Sequence, residues 1–197
     1  MSSIDYILTE FSAFVALIIE GGAVVGIFLT GIGIYGFYKQ TESPQNFPFG
    51  RNVSTFITGT LLIISGTLYQ AMDNTIDLRD TNQIKDISVG TLYLDKSALS
   101  DIVENGISVS SGGIGSSQLI PPKSAALVIG FMYLIGVGAF TKGIYLLKDA
   151  GDIANPQGKT PVKSAIIFMV AGYISMNIND FGCLVGNTFG TTLFCAP

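Results

Sequence analysis

Few residues in this chain could do chemistry. It has no His, which removes the commonest general base and the commonest metal ligand. No P-loop, GxSxG or HExxH pattern occurs, and the clustered acids lack metal-ligand spacing. The glycine-rich stretches lie inside apolar runs, not in loops that could cradle a phosphate. Enzyme activity is not expected. Cys183 and Cys195 stand 12 apart near the end of the chain, a spacing that fits neither a CxxC redox motif nor a zinc motif. They are either a disulfide closing a short loop in an oxidising compartment or two unpaired thiols. Two charges border long apolar runs, Glu20 and Lys142, and what they do depends on the elements that carry them.

Those elements read as membrane helices. Charged residues make up 12% of the chain, about half the share usual in soluble domains. Too little polar surface remains to cover a globule in water. The net charge of −4 argues against nucleic acid, whose phosphates need a basic surface. A membrane helix takes about 20 mostly apolar residues. Uncharged runs of 18, 21, 18 and 16 residues follow Glu20, Arg51, Lys123 and Lys163. They predict four transmembrane helices near 13–38, 53–72, 124–147 and 163–180. The expected fold is an all-α membrane protein with four transmembrane helices in two hairpins. Its parts are a first hairpin with an N-terminal amphipathic segment (1–72), an extracytoplasmic insert (73–122), a second hairpin (123–180) and a tail (181–197).

Orientation follows from Lys and Arg. Six of the ten basic residues fall in or beside the two short connections, Lys39, Arg51, Lys142, Lys148, Lys159 and Lys163. The N-terminal segment and the tail have none, and seven acids outnumber the bases in 73–122. Both short loops are therefore placed in the cytoplasm, and both termini and the insert outside. Residues 21–38 alone span about 27 Å, so Glu20 fits the outer interface. The alternative is an intramembrane acid, which is by default a functional residue. Lys142 is expected to snorkel to the cytoplasmic edge rather than pair with Glu20.

The stretch VGIFLTGI at 25–32 is echoed 112 positions on by VGAFTKGI at 137–144. Pro44-Gln45 and Pro156-Gln157 keep that register, as do Arg51 and Lys163. Beyond them it loosens, Ile64-Ser65 and Ile174-Ser175 aligning only after a two-residue shift. The echo is read as a duplicated hairpin, the alternative being chance similarity between apolar helices; two helices per unit make it a parallel repeat about an axis along the membrane normal. Thr30 is matched by Lys142. Membrane helices associate by close packing at small residues. Gly22, Gly26 and Thr30 form a stripe at spacing four, with Gly31, Gly33 and Gly36 near it, and Gly136, Gly138 and Gly143 are its second version. Either the stripe serves packing, within one subunit or between subunits, or glycine is simply common in membrane helices.

The loops KQTESPQNFPFGR and KDAGDIANPQGKTPVK each hold two prolines, so neither is one continuous helix. Lys39, Arg51, Lys148, Lys159 and Lys163 there are candidate contacts for cytoplasmic partners or lipid headgroups, or simply anchors for a hairpin. In the insert, ISVGTLYL and NGISVSSGG alternate as strands do, SALSDIVENG suits a short helix, and Pro121-Pro122 fixes the entry to the third span.

A glycine-rich apolar hairpin with a short, basic, proline-bearing cytoplasmic loop resembles the VirB2-type pilins of type IV secretion systems. The duplicated form is similar to the IcmC/DotE family and to conjugative TraQ proteins. The resemblance rests on VGIFLTGI, YGFYKQTESPQ, VGAFTKGI and ANPQGKTPVK, over 13–72 and 124–180. It implies a pilin-like, homo-oligomeric structural subunit in the bacterial inner membrane, partnered by other subunits of a type IVB secretion or conjugation apparatus. No cofactor comes with it, bound phospholipid apart. The insert has no counterpart in a two-helix pilin. The competing expectation is a small transporter or channel of two parallel hairpins, which should carry polar groups near the bilayer midplane; there the second and fourth spans offer only Thr58, Thr60, Ser65, Thr67 and Ser175.

Overall fold

The computed structural model describes residues 3–76, 107–109, 117–120, 122–151, 161–178, 181, 182, 185 and 188. Helix α1 runs over Ser3–Gln40, α2 over Phe49–Ile63, α3 over Ser65–Ile76, α4 over Pro122–Leu146 and α5 over Pro161–Met176. A 3-10 turn, Leu147–Gly151, prolongs α4. Strands β1 (Ile107–Val109) and β2 (Ser117–Ile120) pair antiparallel. β1 is the ISV of NGISVSSGG, where strand alternation was read. ISVGTLYL and SALSDIVENG lie outside the described residues.

The 38 residues of α1 reach about 57 Å at 1.5 Å per residue, well beyond the roughly 30 Å of bilayer hydrocarbon. The N-terminal amphipathic stretch therefore continues helix one. Lys39 closes its last turn, where a cation offsets the negative end of the helix dipole. α4 and α5 each open on a proline, which suits a first helical position because its missing N–H has no partner there anyway.

Among the described residues two helices are long and apolar enough to cross a membrane, Glu10–Gln40 and Leu127–Gly151. The expected span 53–72 is not one straight helix. It is α2 and α3, bent by 78° at Ile64, whose φ of −99° and ψ of 21° leave the helical region. Two local causes are visible. Thr60 Oγ1 donates to Phe56 O at 3.0 Å, a back-bond that bends helices. Ser65-Gly66 follows at once, a pair at which helices kink. The pair is a third span if it counts as one. The expected span 163–180 is the shorter apolar helix Val162–Met176. Helical bonds from Asn177 N to Tyr173 O and from Phe181 N to Asn177 O, both 3.0 Å, carry the turn past Met176.

α1 packs along α2, and α4 along α5. Where the two pairs meet, Val15, Leu62, Tyr69, Val137, Phe140, Ile144, Tyr173 and Met176 form the core. Tyr69 stands edge-on to Phe140 and tilted to Tyr173, with ring centroids 6.3 and 5.7 Å away. α1 and α4 lie side by side in the same direction. A Cβ on Gly130 would meet the Phe11 ring, and one on Gly22 would meet Thr141 Cγ2; both contacts join residues 119 apart in the sequence. The outer faces are strongly apolar: Leu17, Ile27, Phe28 and Ile167 are each at least 62% exposed. Such a surface is costly in water and suits lipid.

Candidate functional site

The first candidate is the helix–helix contact made by glycines. A Cβ on Gly59 would lie 2.5 Å from Thr30 N and Oγ1 and 2.7 Å from Gly26 O. One on Gly26 would lie 2.7 Å from Gly59 O, and one on Gly33 2.9 Å from Phe56 N. The backbones of α1 and α2 thus touch, and only glycine permits it. Gly36 continues the line against the buried Asn52 side chain. In the other pair, a Cβ on Gly172 would lie 2.6 Å from Phe140 N and 2.7 Å from Gly136 O, and one on Gly143 2.8 Å from Met169 N. Ser175 Oγ adds a bond to Met132 O at 2.7 Å.

The two contacts share their spacing. Gly26 and Gly33 are seven apart, as are Gly136 and Gly143; Phe56 and Gly59 are three apart, as are Met169 and Gly172. The matching offsets are 110 residues in the first helices and 113 in the second. The echo at 112 is therefore not the register of contact. Gly26 corresponds to Gly136, not to Gly138, and the residue facing Gly172 as Thr30 faces Gly59 is Phe140, not Lys142. Gly138 and Gly31 meet nothing within 4 Å of an added Cβ. Gly22, placed on the same stripe, turns instead to Thr141 on α4. Gly172 was missed by the sequence reading; its signal would have been a small residue facing the α4 glycines.

Neither notable charge is paired with the other. Lys142 is exposed, with its Nζ 4.9 Å from the centroid of the Phe168 ring, and Glu20 is exposed on α1. Thr58 is fully buried and Gln70 nearly so, and among the described residues Thr58 Oγ1 and Gln70 Oε1 have no hydrogen-bond partner. Tyr69 donates from its hydroxyl to Asn177 Oδ1 at 3.1 Å, and Asn177 Nδ2 donates to Tyr173 O.

The second candidate lies at the loop end of the bundle. There the first turn of α2 meets the 3-10 turn: Gly50 and Gly151 touch backbone to backbone, and Ser54 Oγ donates to Leu147 O. Beside this junction a cavity of about 320 Å³ opens between α1, the first loop, α2 and the 3-10 turn, with Arg51, Lys148 and Asp149 on its wall. Of the predicted loop contacts, Arg51 and Lys148 are thus brought together. Lys39 pairs instead with Glu42 at 2.6 Å, Lys163 is exposed in the first turn of α5, and Lys159 lies outside the described residues. Cys183 and Cys195 also lie outside them. Among the described residues no group of His, Cys, Asp and Glu could hold a metal ion.

The fold and these sites define a mainly helical protein with apolar helices suited to a membrane. No protein-family model, no curated protein and no solved structure matches the chain.

Proposed function

We propose that this chain is a structural, pilin-like subunit of a type IVB secretion or conjugation apparatus, held in the bacterial inner membrane by four spans. In this reading α1, α2 with α3, α4, and α5 with its C-terminal extension each cross the bilayer. The two short loops are cytoplasmic, and the termini and insert are periplasmic, with Cys183 and Cys195 joined there. The observation that carries it is the paired glycine contact. Each hairpin is closed by backbone-to-backbone packing at the same spacings, which makes two rigid units with apolar outer faces, fit to be built into a larger assembly. Because Gly26, Gly136 and Gly143 are spent inside the hairpins, contacts between subunits fall to the outer faces, where Gly31 and Gly138 have open space.

Images of the detergent-purified protein test this. A ring or filament of repeated subunits is the expected result. A monomer enclosing a water-filled path between the hairpins would sink it. Such a path is the transporter reading, favoured by the buried Thr58 and Gln70 side-chain oxygens, which have no hydrogen-bond partner among the described residues. Flux measured in sealed vesicles, lost in Thr58→Val and Gln70→Leu, would establish that reading instead.

A further inference from the structure

The sequence places Glu20 at the outer interface and Lys142 at the cytoplasmic edge, and the register of α1 against α4 does not allow both. Phe11 faces Gly130 and Gly22 faces Thr141, each pair 119 apart, so the two helices keep one register over that stretch. Counted with this offset, Lys142 stands level with Ala23, three residues from Glu20, or about 4.5 Å along the axis. The two edges of the hydrocarbon are about 30 Å apart. The same offset sets Glu20 level with Ala139, the middle residue of the apolar span Leu127–Gly151. Within one chain the two charges nevertheless point apart. Glu20 is two residues before Gly22, about 200° round α1 from the face turned to α4. Lys142 is one residue past Thr141, about 100° round α4, where its Nζ lies 4.9 Å from the centroid of the Phe168 ring on α5. Both side chains are exposed, and Glu20 makes no ion pair or hydrogen bond among the described residues. Charges at membrane depth are costly and pair with one another, so two opposite ones left open at one height call for partners outside the chain.

We propose that Glu20 of one copy pairs with Lys142 of a second copy, so that the α1 face of each chain packs on the α4 face of the next. Opposite charge at equal depth is what selects another copy as the occupant. The two faces are built alike. On α1, Leu17, Glu20, Val24, Ile27 and Gly31 are exposed at alternating spacings of three and four, which keeps them on one side of a helix. On α4, Phe131, Ile135, Gly138, Lys142 and Tyr145 repeat those spacings. Each stripe carries one charge, and the two charges are opposite. Gly138 lies one turn from Lys142, beside the height of Glu20, and an added Cβ there would meet nothing within 4 Å. A small residue at that point lets a neighbouring helix approach closely. The Phe168 ring steadies the Lys142 ammonium but carries no charge, so the cation is still to be matched. Because the two faces differ, the contact is heterologous, and such contacts close into rings or run on as helical filaments. The proposal rests on the reading of an assembling membrane subunit and names the contact that assembles it.

The test is native mass spectrometry of the full chain in detergent over a range of concentrations. Glu20→Lys and Lys142→Glu, each alone, should raise the dissociation constant for assembly at least about tenfold, because each sets like charges across the contact, a strongly unfavourable juxtaposition. The decisive arm mixes the two variants, one of them isotope-labelled. Every contact between unlike chains then joins opposite charges again. Oligomers of mixed mass should form at concentrations where neither variant assembles alone, a recovery that misfolding of either variant cannot produce. Unchanged assembly of both single variants overturns the proposal, and would mean that lipid headgroups or water match the two charges. Absence of mixed oligomers overturns it as well. A wild-type chain that stays monomeric throughout refutes the assembling-subunit reading together with this contact, whereas a wild-type oligomer indifferent to both charge reversals refutes the contact alone.

Discussion

Gly59→Ala separates close backbone packing from the mere abundance of glycine in apolar helices. The added methyl would sit 2.5 Å from Thr30 N and Oγ1 and 2.7 Å from Gly26 O, where ordinary contact begins at 3.4 Å. Two of these three atoms are backbone, so no rotamer change relieves the clash, and α1 and α2 must separate locally by about 0.9 Å, the shortfall from normal van der Waals distance. Overpacking of this kind costs about 1–3 kcal/mol. Against it, Ala is the better helix former by up to about 1 kcal/mol. Gly31→Ala is the matched control, because an added Cβ there meets nothing within 4 Å; it keeps the propensity gain and has no clash. The stability difference between the two variants therefore isolates the overpacking term, about 1–3 kcal/mol in favour of Gly31→Ala. Reversible unfolding in mixed micelles, followed by helicity, measures it. Gly172→Ala should behave like Gly59→Ala, since its methyl would meet Phe140 N at 2.6 Å. Equal stability of Gly59→Ala and Gly31→Ala, within about 0.5 kcal/mol, would refute the reasoning.

Three further outcomes are expected. Tyr69→Phe keeps the ring packing on Phe140 and Tyr173 but loses the bond to Asn177; it should destabilise by about 1 kcal/mol, and no change in the same unfolding assay would show that this bond is not formed. Lys142→Ala should lose about 0.5–1 kcal/mol of cation–π attraction to Phe168, while Lys142→Arg retains it; equal losses in both would contradict the pairing. Thiol alkylation followed by mass measurement should label Cys183 and Cys195 only after reduction, and labelling of both without reductant in protein from an oxidising compartment would refute their disulfide.

What the sequence made legible was what composition encodes. The charge-free runs located α1 and α4, and the glycines announced close packing. An uncharged run specifies how much chain can sit in lipid but not its direction, so the bend at Ile64 was hidden within 21 uncharged residues. The echo at 112 was real as a string yet misplaced the contacts by two positions in the first helices and by one in the second, because identity between apolar helices does not record which face is turned inward. Gly138 shows this: it aligns with Gly26 but meets nothing, while Gly136 makes the contact. The cavity was only half legible. Arg51 and Lys148 stood out as loop cations, but Asp149, Tyr35 and Asn46 joined them only once the 3-10 turn folded onto the start of α2.

The central claim is that two hairpins cross the membrane with both short loops on one side, and the 78° bend between α2 and α3 is its critical point. Single cysteines at Ser43, Lys159 and Ser110, in a chain with Cys183 and Cys195 changed to Ser, can be labelled with a membrane-impermeant thiol reagent. In intact cells stripped of their outer membrane, only position 110 should react, and positions 43 and 159 should react only after the inner membrane is opened. Reaction of positions 43 and 110 from the same side would contradict the account, because α2 and α3 would then enter and leave by one face without crossing.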